Sequence, residues 1–126
     1  MSSLLGLAAA LTMTMSVSVY APGMGDIQGS LMSASGKRIE DSHAACGFSY
    51  PFGTVFEVTG SAAEELRKRG ISTRVSCVDR GGAVRDWNLD IALVSGDERL
   101  KRAYDFGRRK ATVIITLPTK SAVTGY

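Results

Sequence analysis

Two carboxylates stand in settings that suit acid–base chemistry. Residues 77–92 read C-V-D-R-G-G-A-V-R-D-W-N-L-D-I-A. A strand-like run over 74–78 leads into Asp79, a Gly81–Gly82 turn interrupts it, and a second alternating segment over 87–92 carries Asp90. Asp90 lies between Leu89 and Ile91, so in a half-buried strand those two neighbours face the core and Asp90 faces the other way. Gly81 and Gly82 are expected to take positive φ and to leave backbone open to a close-approaching ligand. Two such carboxylates, eleven positions apart on strands joined by a short loop, could share one site and handle a proton there. Each feature also has a plain reading: an aspartate at a strand end often only hydrogen-bonds a turn, and Gly-Gly is often only a tight turn.

The rest of the chain must position these groups. Its 126 residues are enough for one domain with a modest core. A 44% hydrophobic content, with 14 glycines, suits a small β-rich fold with many turns. The net charge of +3 favours anionic surroundings such as cell-wall polymers and falls short of a nucleic-acid footprint, so no nucleic-acid partner is expected. A soluble protein with slightly more Arg than Glu is the plain alternative. Cys46 and Cys77 allow one disulfide or two free thiols. Together with the lone His43 they make no usual closed ligand set, so neither a metal nor another cofactor is expected. His43 itself reads as a turn or surface residue.

Residues 4–15, L-L-G-L-A-A-A-L-T-M-T-M, are apolar, but no Lys or Arg precedes them as the charged start of a signal peptide would. The run is too short and too Thr-rich for a membrane span. It is expected to stay on the chain as a short apolar helix or strand extension that packs on a protein partner, with an atypical export signal as the alternative. Residues 15–21 (M-S-V-S-V-Y-A) alternate as a half-buried strand, and 22–37 form a Gly-rich loop. Short strands are expected at 44–46 and 54–58. Ser61-Ala62-Ala63-Glu64 has the S-x-x-E capping-box pattern for a surface helix to about Lys68, stopped by Gly70. Ser95-Gly96-Asp97-Glu98 repeats that pattern, and Leu100, Ala103, Tyr104 and Gly107 then mark a helical face. A β-branched strand over 111–117 ends at Pro118. Periodicity alone gives a small, β-rich α+β domain with no repeat and no linker.

The central stretch also carries a family resemblance. D-x-G-G-A-V-R followed by L-D-I resembles the signature of the three-aspartate (3D) domain, D-x-G-G-A-I-K-G and then I-D. That domain occurs in stationary-phase cell-wall proteins and in the catalytic part of membrane-bound lytic transglycosylase A. G-R-R-K-A-T-V-I-I (107–115) resembles the family's last helix end and strand, and Y-P-F-G-T (50–54) its I-P-x-G-T turn. The resemblance implies a mainly β (α+β) fold, a small six-stranded double-psi β-barrel with two short helices. The barrel would occupy residues 15–118, after an apolar segment 1–14 and before a polar tail 119–126. The sequence departs from the pattern at Cys46, where the family's first aspartate would fall. A Cys46–Cys77 disulfide there would tie the layer together, closing a loop of about thirty residues and contributing roughly 3–4 kcal/mol. It would require an oxidising compartment or an extracellular particle. Two buried free thiols are the alternative.

The resemblance implies cleavage of the β-1,4 bond between N-acetylmuramic acid and N-acetylglucosamine in peptidoglycan. A lytic transglycosylase uses the substrate's own C6 hydroxyl as nucleophile and leaves a 1,6-anhydro sugar, so one acid/base residue suffices where an ordinary glycosidase needs two. Asp90 matches the catalytic position. It would have to be protonated beforehand, and apolar neighbours and Asp79 would both raise its pKa. Asp79 is expected to stabilise positive charge developing on the sugar. Arg85 and the Gly81–Gly82 backbone are expected to hold the glycan, and Trp87 or Tyr20 to stack on a sugar face. The location implied is the cell envelope or the exterior. The other readings are a non-catalytic barrel serving as a structural subunit, for example of a phage tail or other envelope-penetrating virion particle, and a barrel that binds glycan without cutting it.

Overall fold

Six strands and two helices follow the order of the chain: β1 (Ala10–Tyr20), β2 (His43–Ala45), β3 (Val55–Val58), α1 (Gly60–Lys68), β4 (Arg74–Asp79), β5 (Asn88–Ala92), α2 (Arg99–Phe106) and β6 (Arg108–Thr116). The computed structural model describes residues 10–25 and 28–119. The strands close into a barrel in the order β1-β5-β2-β4-β3-β6. The β1/β5 and β2/β4 pairs are parallel and the other four antiparallel. This is a closed, mixed six-stranded barrel, mainly β with two helices, consistent with a small double-psi barrel.

Alternation explains the closure. Met15 and Val17 of β1, Phe56 and Val58 of β3, Leu89 and Ile91 of β5, and Val113 and Ile115 of β6 are buried in one core, while the residues between them stay nearer solvent. Period-2 patterning puts one side chain of each consecutive pair inside, and a closed barrel leaves no strand edge unpaired. β1 starts earlier than the alternation at 15–21 suggests. Thr12 and Thr14 continue it, and the ladder with β6 runs from Ala10↔Thr116 to Ser18↔Arg108. The end of the apolar N-terminal run is thus a strand extension that pairs within its own barrel. The remainder of that run, residues 1–9, and the tail beyond 119 lie outside the described residues.

Both helices lack the capping boxes that S-x-x-E suggests. α1 begins at Gly60, with extended Thr59 (φ −122°) ahead of it. The Thr59 hydroxyl donates to the Thr112 carbonyl of β6 instead of capping the helix. Docking the helix entry onto the barrel displaces the local motif, and Ala62, Ala63 and Leu66 then fill the core. Before α2, Glu98 takes the left-handed conformation (φ 53°). The Ser95 hydroxyl there is engaged with Asp41, which also accepts the Ser95 and Val94 N–H groups. These bonds pin the long connection between β1 and β2 to the end of β5. The buried pair on α2 is Ala103 and Phe106, whereas Tyr104 is 66% exposed, so the inward face is rotated from the one the spacing marks.

Candidate active site

Transverse register brings the two carboxylates together. β2 lies between β4 and β5, and Ala45 pairs with Asp79 on one side and Asp90 on the other. A β-bulge between Ala44 and Ala45 sets this alignment. Two strand spacings of about 4.8 Å put the two aspartate backbones about 10 Å apart, with Ala45 as the register partner between them. On the far side of Asp90 the same row continues through Ser18 to Arg108. Asp90, Asp79, Ala45, Tyr20, Arg80, Gly81 and Gly82 line one cleft of about 280 Å³, together with Gln28 and Gly29 of the β1–β2 connection.

Asp90 is half-buried between fully buried Leu89 and Ile91. Its Oδ1 accepts a 2.9 Å hydrogen bond from the Ser18 hydroxyl. Burial pushes its pKa up from 3.8 to about 6; the Ser18 bond and the Arg108 charge pull it down, and Asp79 adds a smaller upward push. Such a carboxyl changes protonation near neutral pH, which general acid–base work requires. Asp79 is held as an acceptor at both oxygens: Oδ1 takes the Ala34 N–H at 2.8 Å and Oδ2 the Tyr20 hydroxyl at 3.3 Å. Burial and the two nearby carboxylates raise the Tyr20 phenol well above its ordinary range, keeping it a neutral donor.

The loop between β4 and β5 is shaped by close approach, not by left-handed backbone. Neither Gly81 nor Gly82 has positive φ. A Cβ on Gly81 would meet Val84 Cγ2 at 2.6 Å, whereas Gly82 is exposed with nothing within 4 Å. The tightest position is Gly47, where a Cβ would lie 2.6 Å from Asp86 N and 2.7 Å from Arg85 C. The loop after β2 packs directly on this one, and Asp86 fastens it by accepting from the Ser49 N–H (3.2 Å) and hydroxyl (2.5 Å). Arg85 and Trp87 do not line the cleft: both are exposed, the Arg85 N–H donates to Asn88 Oδ1, and the Trp87 carbonyl accepts the Ser16 N–H. Tyr20 does line it, as a donor to Asp79.

Cys46 and Cys77 form a disulfide. The Arg80 guanidinium sits on it, with Nη1 3.0 Å from Cys46 Sγ and 3.2 Å from Cys77 Sγ, while Nη2 donates to the Tyr50 carbonyl at 2.8 Å. His43 opens β2, and its Nδ1 accepts the Glu40 N–H. Among the described residues no group of three or more His, Cys, Asp or Glu is placed to hold a metal ion, and no helix is long and apolar enough to cross a membrane. Ser18, Ala45 and Arg80 also belong to the site, although no motif in the sequence marks them. Ser18 had a visible signal, as the polar alternate of M-S-V-S-V-Y two places before Tyr20. Ala45 and Arg80 acquire their roles only through strand pairing.

No protein-family model matches the chain, and no curated protein sequence does. Among solved structures it is similar to the lytic transglycosylase MltA of E. coli. A variant in its apo-2 form superposes with a TM-score of 0.47 at 19% identity, over 68% of this chain and 27% of that one. A crystal structure of MltA gives 0.47 at 20% identity over 70% and 27%. The chain thus spans about a quarter of the length of the structures it resembles.

Proposed function

We propose that this barrel is a peptidoglycan-cleaving, lytic transglycosylase-like domain in which Asp90 is the single general acid and base. The observation that carries the reading is a half-buried carboxyl with a pKa near 6, in a cleft it shares with a second carboxylate. The D-x-G-G-A-V-R…L-D-I resemblance supports it independently of that geometry. In the first half of the reaction, protonated Asp90 gives its proton to the glycosidic oxygen as the C1–O bond breaks. The resulting carboxylate then takes the proton of the C6 hydroxyl as that oxygen closes on C1, giving a 1,6-anhydro end and restoring the acid. No water is consumed. Asp79, oriented by Tyr20 and Ala34, faces the same space and stabilises positive charge developing at C1. Backbone at Gly81 and Gly82 borders the glycan path, with Arg85 and Trp87 on the exposed part of the loop available to a longer strand. The disulfide fits work in the cell envelope or outside the cell.

A second reading, a non-catalytic barrel assembled into a larger particle, draws on Leu11 and Ile114, which are 44% and 39% exposed on the β1/β6 surface. One experiment separates the two. Wild-type protein and Asp90→Asn are incubated with purified peptidoglycan, and soluble products are read by mass spectrometry. Anhydro-muropeptides from the wild type alone support the enzyme; none from either leaves the barrel as a binding or structural module.

A further inference from the structure

Next to the cleft, the loop between β2 and β3 presents two phenylalanines that the acid–base chemistry does not use. Phe48 is 81% exposed and Phe52 39% exposed. Both are packed on one cation: the Arg80 guanidinium carbon lies 4.1 Å from the Phe52 ring centre and 5.4 Å from that of Phe48. Arg80 is itself immobilised by the Cys46–Cys77 sulfurs and the Tyr50 carbonyl, and it also lines the carboxylate cleft. The loop is further fixed by Ser49 on Asp86 and by the Thr54 hydroxyl on the Pro51 carbonyl. The aromatic surface is therefore held in place before any ligand arrives, and Arg80 joins it to the site.

We propose that Phe48 and Phe52, mounted on Arg80, form a pyranose-stacking subsite that continues the carboxylate cleft and holds a neighbouring sugar of the same glycan strand. The chemistry is complementary. A pyranose presents an apolar face of axial C–H groups that seats on an aromatic ring, with its hydroxyl and acetamido groups left at the rim for water. The rings carry no charge of their own, so the stacking contact itself needs no lactyl group on the sugar. Preorganised rings also bind at lower entropic cost than mobile ones.

The proposal rests on the glycan reading of the cleft, and its test keeps the two apart. In the full chain carrying Asp90→Asn, so that nothing is cut, Phe48→Ala, Phe48→Tyr and Phe52→Ala are compared by titration calorimetry against peptide-free glycan strands. Melting curves check folding, and sedimentation velocity checks self-association. The expected result is about three- to tenfold weaker binding for Phe48→Ala and for Phe52→Ala, near-parental binding for Phe48→Tyr, and an unchanged melting temperature for the two Phe48 variants. Unchanged affinity in Phe48→Ala overturns the subsite, as does a parent that binds no glycan. A wild type that self-associates through Phe48, with glycan affinity indifferent to its loss, also overturns it and assigns the rings to a second copy of the chain. Weakened binding in Phe48→Ala together with no anhydro product from wild type keeps the subsite and removes the catalytic reading.

Discussion

Replacing Asp90 by Asn should stabilise the fold while abolishing the proposed chemistry. The folded protein holds the Asp90 proton to about pH 6, whereas the ordinary carboxyl value is 3.8. Because the folded value is the higher one, the native state binds more protons than the unfolded chain between those limits. Stability therefore falls as pH rises through that window, and the full penalty is present at neutral pH. At about 1.4 kcal/mol for each pH step, the gap corresponds to a ceiling of about 3 kcal/mol, and the partial exposure of the carboxyl brings the expected effect to about 1–2 kcal/mol. Asn keeps an oxygen that can accept from Ser18 and carries no charge to desolvate. Urea unfolding at pH 4.5 and pH 7.5 measures this directly. Asp90→Asn should gain about 1–2 kcal/mol over wild type at pH 7.5, roughly 3–8 °C in melting temperature for a domain of this size, and about a third of that at pH 4.5, near the start of the window. Equal stability of the two proteins at both pH values would refute the claim that burial strains this carboxylate.

Four further outcomes follow from the same contacts. Ser18→Ala removes a hydrogen bond that pulls the Asp90 pKa down, so the carboxyl should titrate higher and the basic limb of the pH–activity profile should move up; a limb that stays put contradicts the Ser18 role. Tyr20→Phe strips Asp79 of its 3.3 Å hydroxyl donor and should lower kcat while the barrel stays folded by circular dichroism. Gly47→Ala would force a Cβ to within 2.7 Å of the Asp86 and Arg85 backbone and should cost about 2–4 kcal/mol in urea unfolding, whereas Gly82→Ala, with open space around it, should be neutral or slightly stabilising. Replacing both Cys46 and Cys77 by Ser opens a loop with a sequence separation of 31, and calorimetry should show a loss of about 3–4 kcal/mol.

How far the sequence could be read depends on whether a feature is local. The setting of Asp90 was legible because Leu89 and Ile91 impose the period of a strand, and the strand fixes the orientation of the carboxyl. The six strands and two helices were legible for the same reason, with boundaries that moved by a few residues where a neighbour extended the ladder, as β6 does for β1. The meeting of Asp79 and Asp90 across Ala45 was not, because it depends on β2 inserting between β4 and β5 and on a bulge after Ala44. Neither S-x-x-E motif caps its helix: α1 already begins at Gly60, ahead of Ser61, and Ser95 gives its hydroxyl to the distant Asp41. Gly81 and Gly82 do without the positive φ that a Gly-Gly pair suggests, while the position that most needs a glycine is Gly47, thirty-nine residues before Asp86. Steric demand from a loop remote in sequence leaves no local trace.

The central claim, that one carboxyl at the cleft closes the sugar ring on itself without water, can be measured in a single reaction. Wild-type protein is incubated with purified glycan strands in water enriched in oxygen-18, and the new ends are resolved by mass spectrometry. The account predicts 1,6-anhydro ends carrying no label, formed by wild type and absent with Asp90→Asn. Reducing ends that carry the label would contradict it, since they would require a water molecule as nucleophile.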